Sequence, residues 1–325
     1  MSGGEQPALS IYETSAYGGE GWSPRRQSTR QEIGLLWHPC GVDSEWAPLR
    51  AVLLHEPGPE LEDIRDPNAV QMLAPIDAGL ARRQHRALAD AYRSAGVTVH
   101  LVAPSHVPPP NLLFAADLFF MTPEGAVVGR PASTVRAGEE RWVARRLAEL
   151  GIPILHTVHG RGTFEGADAM WLDPRTILLA TGIRTNAEGA AQVAGTLREL
   201  GVEIIQVGLP YGAMHLMGTL RIVDRDLALA WPGRVPYAAV EALHQRGFRV
   251  LFIPDEREAE QGMALNLVTL GPRRVLMPAG NPVTRSLYER AGITCHEVEV
   301  DELMKAAGAI GCMTGVLERE LVGDK

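Results

Sequence analysis

Cysteine is scarce in this chain of 325 residues: only Cys40, Cys295 and Cys312 occur. Three scattered thiols build neither a disulfide framework nor a Cys/His metal cluster. The expected compartment is therefore a reducing cytoplasm. No apolar run reaches the roughly 18 residues needed to cross a bilayer. The N-terminus lacks the basic and apolar regions of a signal peptide, so none is expected. Positive charge is in deficit, with 31 Lys and Arg against 39 Asp and Glu and a net charge of −8. Such a surface argues against a nucleic-acid backbone or an anionic membrane as partner, and suits a cationic small ligand. A Walker loop, a G-x-G-x-x-G after a strand and a G-x-S-x-G are all missing. No cofactor and no metal are expected.

What the chain does have is a period. A helical stretch closed by Gly occurs at AYRSAG, RRLAELG, TLRELG, ALHQRG and LYERAG, ending at Gly96, Gly151, Gly201, Gly247 and Gly292. Gly in that place fits a helix C-cap in the left-handed conformation. After each comes a β-branched or apolar run that reads as a strand: VTVHLV, IPILHTV, VEIIQVGL, FRVLFIP and ITCHEVEV. Ahead of each helix lies an apolar stretch. LRAVLLHEP starts the first unit; the other four are split by PEG, DPR, DRD or GPR into two strands. Helical spacing shows in Trp142, Val143, Leu147 and Leu150. Each unit reads strand, turn, strand, helix, strand, and cannot bury both of its faces alone. Five units around an axis share a core and hide most sheet edges. The expected fold is an α/β propeller of five blades over residues 46–325, preferred to an open α/β sheet. Residues 1–45, rich in Gly, Pro, Arg and Ser, read as an extended N-terminal arm. The arm is expected to pack on the ring or on a neighbouring subunit, which is compatible with a homo-oligomer.

Polar residues recur just ahead of the strand pairs. NLLFAAD (Asn111 to Asp117, with Phe114) precedes the second, FEGAD (Glu165 and Asp168) the third, and MHLMG (Met214, His215 and Met217) the fourth; GAIGCMT with Cys312 follows the fifth blade. The steps are 51 from Asp117 to Asp168, 47 from there to His215, and 97, about two repeats, to Cys312. Equivalent positions in a pseudo-symmetric ring face one axis, so carboxylates, an imidazole and a thiol should converge there. Taken singly, each has a blander reading. An isolated Cys is more often a small hydrophobe, an isolated His a satisfied structural group, and Glu165 with Asp168 a turn. Asp117 stands in an apolar stretch, where an unpaired charge costs several kcal/mol, so it needs a partner. The matched repeat positions favour a site. A thiol attacks as thiolate, with His as acid and base. Carboxylates beside it make sense if the substrate is a planar cation: a guanidinium matches paired carboxylates through forked hydrogen bonds, and its charge helps ionise the thiol. Cys40 and Cys295 fit no repeat position and read as structural.

At these residues the chain resembles the guanidino-modifying enzymes of the pentein superfamily: arginine deiminases, arginine dihydrolases, dimethylargininases and amidinotransferases. SEWAPLRAVLLHEPGPEL resembles the family's opening strand, FEGAD its Phe-Glu-Gly-Gly-Asp motif, MHLMG its Met-His-Leu-Asp motif and GCMTG its nucleophile motif. The resemblance implies the five-bladed propeller and attack of Cys312 on a guanidino carbon. His215 would then protonate the leaving nitrogen, and a thiouronium adduct would be released to water. It further implies that Glu165 and Asp168 bind guanidinium and orient His215, and that Asp117 binds guanidinium with Asn111 and Phe114 ahead of it. Arg184, and Arg136 with it, would hold the substrate carboxylate. Met217 stands where deiminases and glycine amidinotransferases carry a second Asp, and Gly311 where many members carry His or another polar residue. The spacing most resembles arginine dihydrolases, which carry Asn where this chain has Asp117. The expected activity is hydrolysis of arginine or a related guanidino compound. An amidinotransferase shares every residue named and differs in what attacks the adduct. A non-enzymatic propeller of the same fold would leave the thiol, imidazole and carboxylates without a role.

Overall fold

The computed structural model describes residues 23–62 and 64–323. Among the described residues, fifteen strands form five three-stranded sheets. β1 (Leu49–Leu54) is followed by the helix Ala78–Ser94 and β2 (Thr98–Leu101). β3 (Phe119–Thr122) and β4 (Gly125–Val128) precede the helix Glu140–Leu150 and β5 (Ile154–Thr157). The third unit is β6 (Ala169–Asp173), β7 (Thr176–Thr181), the helix Ala187–Glu199 and β8 (Glu203–Gly208). The fourth is β9 (Leu220–Asp224), β10 (Leu227–Ala230), the helix Tyr237–Gln245 and β11 (Arg249–Phe252). The fifth is β12 (Val268–Gly271), β13 (Arg274–Pro278), the helix Pro282–Arg290 and β14 (Thr294–Val298).

In every sheet the middle strand pairs antiparallel with one neighbour and parallel with the other; the helix makes the parallel crossover. The five glycines that close the helices all have positive φ, between 73° and 81°. Side chains with a Cβ are strained there, so the period in the sequence is a period of left-handed helix exits. The chain is thus the five-bladed α/β propeller. The first strands of the hairpins are almost wholly buried, whereas β2, β5, β8, β11 and β14 form the most exposed edges.

One expectation is corrected. The first unit has no local strand pair: β1 takes its antiparallel partner from β15 (Gly315–Arg319) at the far end of the chain, with Leu49 opposite Arg319 and Leu53 opposite Gly315. A hairpin announces itself by a turn, but a partner more than 260 residues away does not. This closure joins the ends of the chain into a ring and seats the segment just before β15 on the axis. Of the arm, residues 1–22 lie outside the described residues. Thr29–Glu32 form a short helix with a Ser28 capping box, and Cys40, Val42, Asp43 and Ser44 are buried against the ring. Burial holds the Cys40 and Cys295 thiols neutral, pushed up to about 12 and about 11, in keeping with structural roles.

Candidate active site

Each chemical residue sits on the short turn that delivers the chain into a buried first strand. Asp117 ends the 3₁₀ turn Ala115–Asp117 before β3, and Asp168 ends the turn Gly166–Asp168 before β6. His215 caps the turn Leu216–Gly218 before β9, and Cys312 lies in the helical turn Ile310–Met313 before β15. These turns pack against one another around the axis. Close approach sets the local sequence. A Cβ on Gly166 would clash with the carbonyl oxygens of Phe119 and Ala116, so FEGAD needs its glycine. Likewise a Cβ on Gly311 would run into the guanidinium of Arg221. That buried arginine explains why glycine precedes the cysteine here.

One cavity is walled by Asn111, Phe114, Asp117, Arg136, Arg184, Met214, His215 and Cys312, with Gln71, Ala306 and Ala307. His215 Nε2 lies 2.6 Å from Glu165 Oε2 and 3.8 Å from Asp117 Oδ1. Burial alone would lower the imidazole, but the charge of Asp117, the hydrogen bond to Glu165 and the charge of Asp168 prevail and lift it to about 9. Burial would conversely raise Glu165; its hydrogen bond to His215 and the nearby charges of His215, Arg136 and Arg184 hold it below the ordinary range. His215 therefore rests as an imidazolium with its proton aimed at Glu165. Asp168 stands one layer back and not on the cavity wall as expected. Its carboxylate accepts from Thr185 Oγ1 at 2.6 Å and from the backbone N–H of Leu216 at 3.0 Å, fixing the turn that carries His215. Burial pushes Asp168 up to about 6.

Asp117 is divided between two tasks. Its Oδ2 accepts from Arg136 Nη1 at 2.6 Å, while its Oδ1 is buried with no hydrogen-bond partner. An unpartnered carboxylate oxygen on a cavity wall is costly unless a ligand supplies the donor. Arg136 is not free to hold a substrate carboxylate, as the resemblance implies. It is buried and engaged by Asp117, by Glu139 at 2.9 Å and by Glu165 at 3.6 Å. Arg184 is looser, 3.4 Å from both Glu165 oxygens and 3.3 Å from the Met214 sulfur. Asn111 donates to the carbonyl of Val70 at 2.8 Å and leaves its Oδ1 unpartnered. Asp117, Glu165 and His215 offer ligand atoms within 4.8 Å of one another, close enough for one cation. The guanidinium groups of Arg136 and Arg184 already neutralise those carboxylates, so the set fits a metal poorly.

Burial and the charge of Asp117 raise the Cys312 thiol; a hydrogen bond from Asn266 and the charge of Arg221 oppose them. Asn266 grips Cys312 twice: Nδ2 donates to Sγ at 2.9 Å, and Oδ1 accepts from the Cys312 N–H at 3.0 Å. Sequence reasoning missed Asn266, although the signal was there. The 97-residue step hides one position: Asn266 lies 51 residues after His215 and 46 before Cys312, just ahead of β12. Arg221, whose Nη2 is buried and unpartnered, and Glu139 were missed because neither stands at a repeat position.

Comparison with known proteins gives the following. The family model described as N,N dimethylarginine dimethylhydrolase, eukaryotic, matches residues 70–318. The N(G),N(G)-dimethylarginine dimethylaminohydrolase of Pseudomonas aeruginosa is 28% identical over 238 residues, 73% of this chain and 89% of the relative. A solved structure of the P. aeruginosa enzyme, a mutant in complex with citrulline, superposes with a TM-score of 0.69 at 25% identity, covering 82% of this chain and 98% of that one. A domain of a cyanobacterial arginine dihydrolase, bound to substrate, superposes with a TM-score of 0.71 at 19% identity, over 83% and 98% of the two chains. At that identity the likeness speaks for the fold.

Proposed function

The chain belongs to the N,N dimethylarginine dimethylhydrolase family and is a guanidino-group hydrolase, and on that premise we propose that it hydrolyses an arginine methylated on the guanidino group, with Cys312, His215, Glu165 and Asp117 as the working residues. The observation that carries the reading is that Asp117 Oδ1, buried without a hydrogen-bond partner, shares one cavity wall with a thiol and an imidazolium. The substrate guanidinium donates to Asp117 Oδ1, while Glu165 holds His215. Its positive charge lowers the Cys312 thiol, which burial otherwise keeps protonated. The thiolate adds to the guanidino carbon, and His215 gives its proton to the departing nitrogen. An S-thiouronium adduct remains. Water attacks it, His215 takes the water's proton, and the carbon–sulfur bond breaks to leave a ureido product and the thiolate. Of the two guanidinium groups on the cavity wall, Arg184 is the more loosely held and receives the substrate's α-carboxylate. Methylated nitrogens are favoured over bare ones because Met217, not a second carboxylate, borders Cys312 and His215.

The test is product analysis with Nω,Nω-dimethylarginine and arginine in water, then with glycine, lysine or ornithine added. Release of dimethylamine with citrulline, and no dependence on an acceptor, is expected. A new guanidino product formed only with an amine acceptor would overturn hydrolysis in favour of amidino transfer.

A further inference from the structure

A second recess adjoins the reacting groups. Met214, His215, Ala307 and Cys312 wall both this recess and the polar cavity that holds Asp117 and Arg184. The two differ in character. The first is lined by a carboxylate and two guanidinium groups; the second is more apolar, with Met217, Trp231, Met263 and Leu265 in its wall beside the polar Asn266, Arg234 and Glu260. The second is also the larger, at about 280 Å³ against about 30 Å³. At its rim Arg234 lies 4.9 Å over the Trp231 ring, donates to the Gly212 carbonyl at 2.8 Å and approaches Glu260 at 3.6 Å.

We propose that this apolar recess receives the substituent on the departing guanidino nitrogen, and that the enzyme therefore hydrolyses arginines bearing Nω-alkyl or Nω-arylmethyl groups much larger than methyl. The proposal rests on the hydrolase reading above and extends its substrate class. A guanidine held by Asp117 has its amino-acid end in the polar cavity. The nitrogen pointing the opposite way, past Cys312 and His215, enters the recess. Two methyl groups fill little of such a space; a butyl or benzyl group would exchange water for Met217, Trp231 and Met263, which is favourable. The chemistry is unchanged. Cys312 Sγ bonds to the guanidino carbon, and the bond from that carbon to the substituted nitrogen breaks. The nitrogen keeps the electron pair and takes the His215 proton, leaving as R–NH₂. Water completes the cycle, so substrate cation plus water gives citrulline and R–NH₃⁺.

Gly218 allows the recess to be filled with no change to a catalytic side chain. It lines the recess, and a Cβ there would meet nothing within 4 Å. Wild type, Gly218→Leu and Gly218→Phe are compared on Nω-methylarginine and Nω-benzylarginine by release of the amine. Wild type is expected to turn over the benzyl compound with kcat/KM within about tenfold of the methyl compound, the range of a pocket that does not sterically exclude a group. Both variants should keep the methyl activity, which also shows that they fold, while losing benzyl turnover by about 30-fold or more, an overpacking effect. Wild type that turns over methyl but not benzyl would overturn the proposal and leave the hydrolase reading intact. Equal losses on both substrates in both variants would overturn it too. Failure of wild type on both substrates would overturn the hydrolase reading and this proposal with it.

Discussion

Replacing Asn266 with alanine removes a side chain that holds Cys312 at both ends. The substitution deletes the 2.9 Å donor to Cys312 Sγ and the 3.0 Å acceptor of its N–H. A hydrogen bond to a charged group contributes about 1.5–3 kcal/mol. Losing it moves the thiol further up and lowers kcat/KM by roughly 10- to 150-fold. The sign follows from the balance at Cys312: burial and Asp117 raise its pKa, Asn266 and Arg221 lower it, so removing Asn266 moves it further up. The assay is the pH dependence of iodoacetamide alkylation at Cys312, followed by mass spectrometry, beside the pH profile of kcat/KM. The acidic limb of both should move to higher pH together. An alanine variant with an unshifted alkylation profile and wild-type kcat/KM would refute the reasoning. A loss of activity without a shift would mean that Asn266 only shapes the turn.

Glu165→Gln removes the partner that helps lift His215 to about 9. The alkaline limb of kcat/KM, where His215 loses its proton, should fall toward the ordinary imidazole value near about 6.5. Because the folded-state pKa of His215 is raised, its contribution to stability is complete below about pH 6.5 and is lost as pH rises through about 9. Thermal denaturation across that window should show the loss in wild type and less of it in the glutamine variant. Asp117→Asn leaves an oxygen but no charge for the guanidinium, so kcat/KM should fall by roughly 10-fold or more for a lost charge-assisted bond. It also installs the residue that arginine dihydrolases carry. If that amide enables a second hydrolysis, product analysis will show a shift from citrulline toward ornithine; unchanged kinetics and products would remove Asp117 from the reacting group.

Local signals carried most of the blades. The five helix-closing glycines and the four turn sequences between strands are backbone requirements that only certain residues meet, so they are visible along the chain. The pairing of β1 with β15 was not visible, because sheet closure depends on hydrogen bonds that any apolar strand can make. The site was legible for a related reason: Asp117, Asp168, His215 and Cys312 recur at the spacing of the blades. Spacing does not give side-chain direction. It therefore could not show that Asp168 braces the backbone of the His215 turn, or that Arg136 is committed to Asp117 and Glu139. Nor could it show Arg221 behind Gly311, since the two meet only across the axis.

A covalent bond from Cys312 to the guanidino carbon can be tested by weighing the enzyme in mid-reaction. Acid quenching during steady-state turnover of Nω,Nω-dimethylarginine, followed by intact and peptide mass spectrometry, should reveal an adduct equal to the substrate less dimethylamine. It should map to the peptide containing Cys312, decay as citrulline forms, and be absent from Cys312→Ala, which should not turn over. Turnover by the alanine variant, or an adduct mapped to Cys40 or Cys295, would rule out Cys312 as the nucleophile.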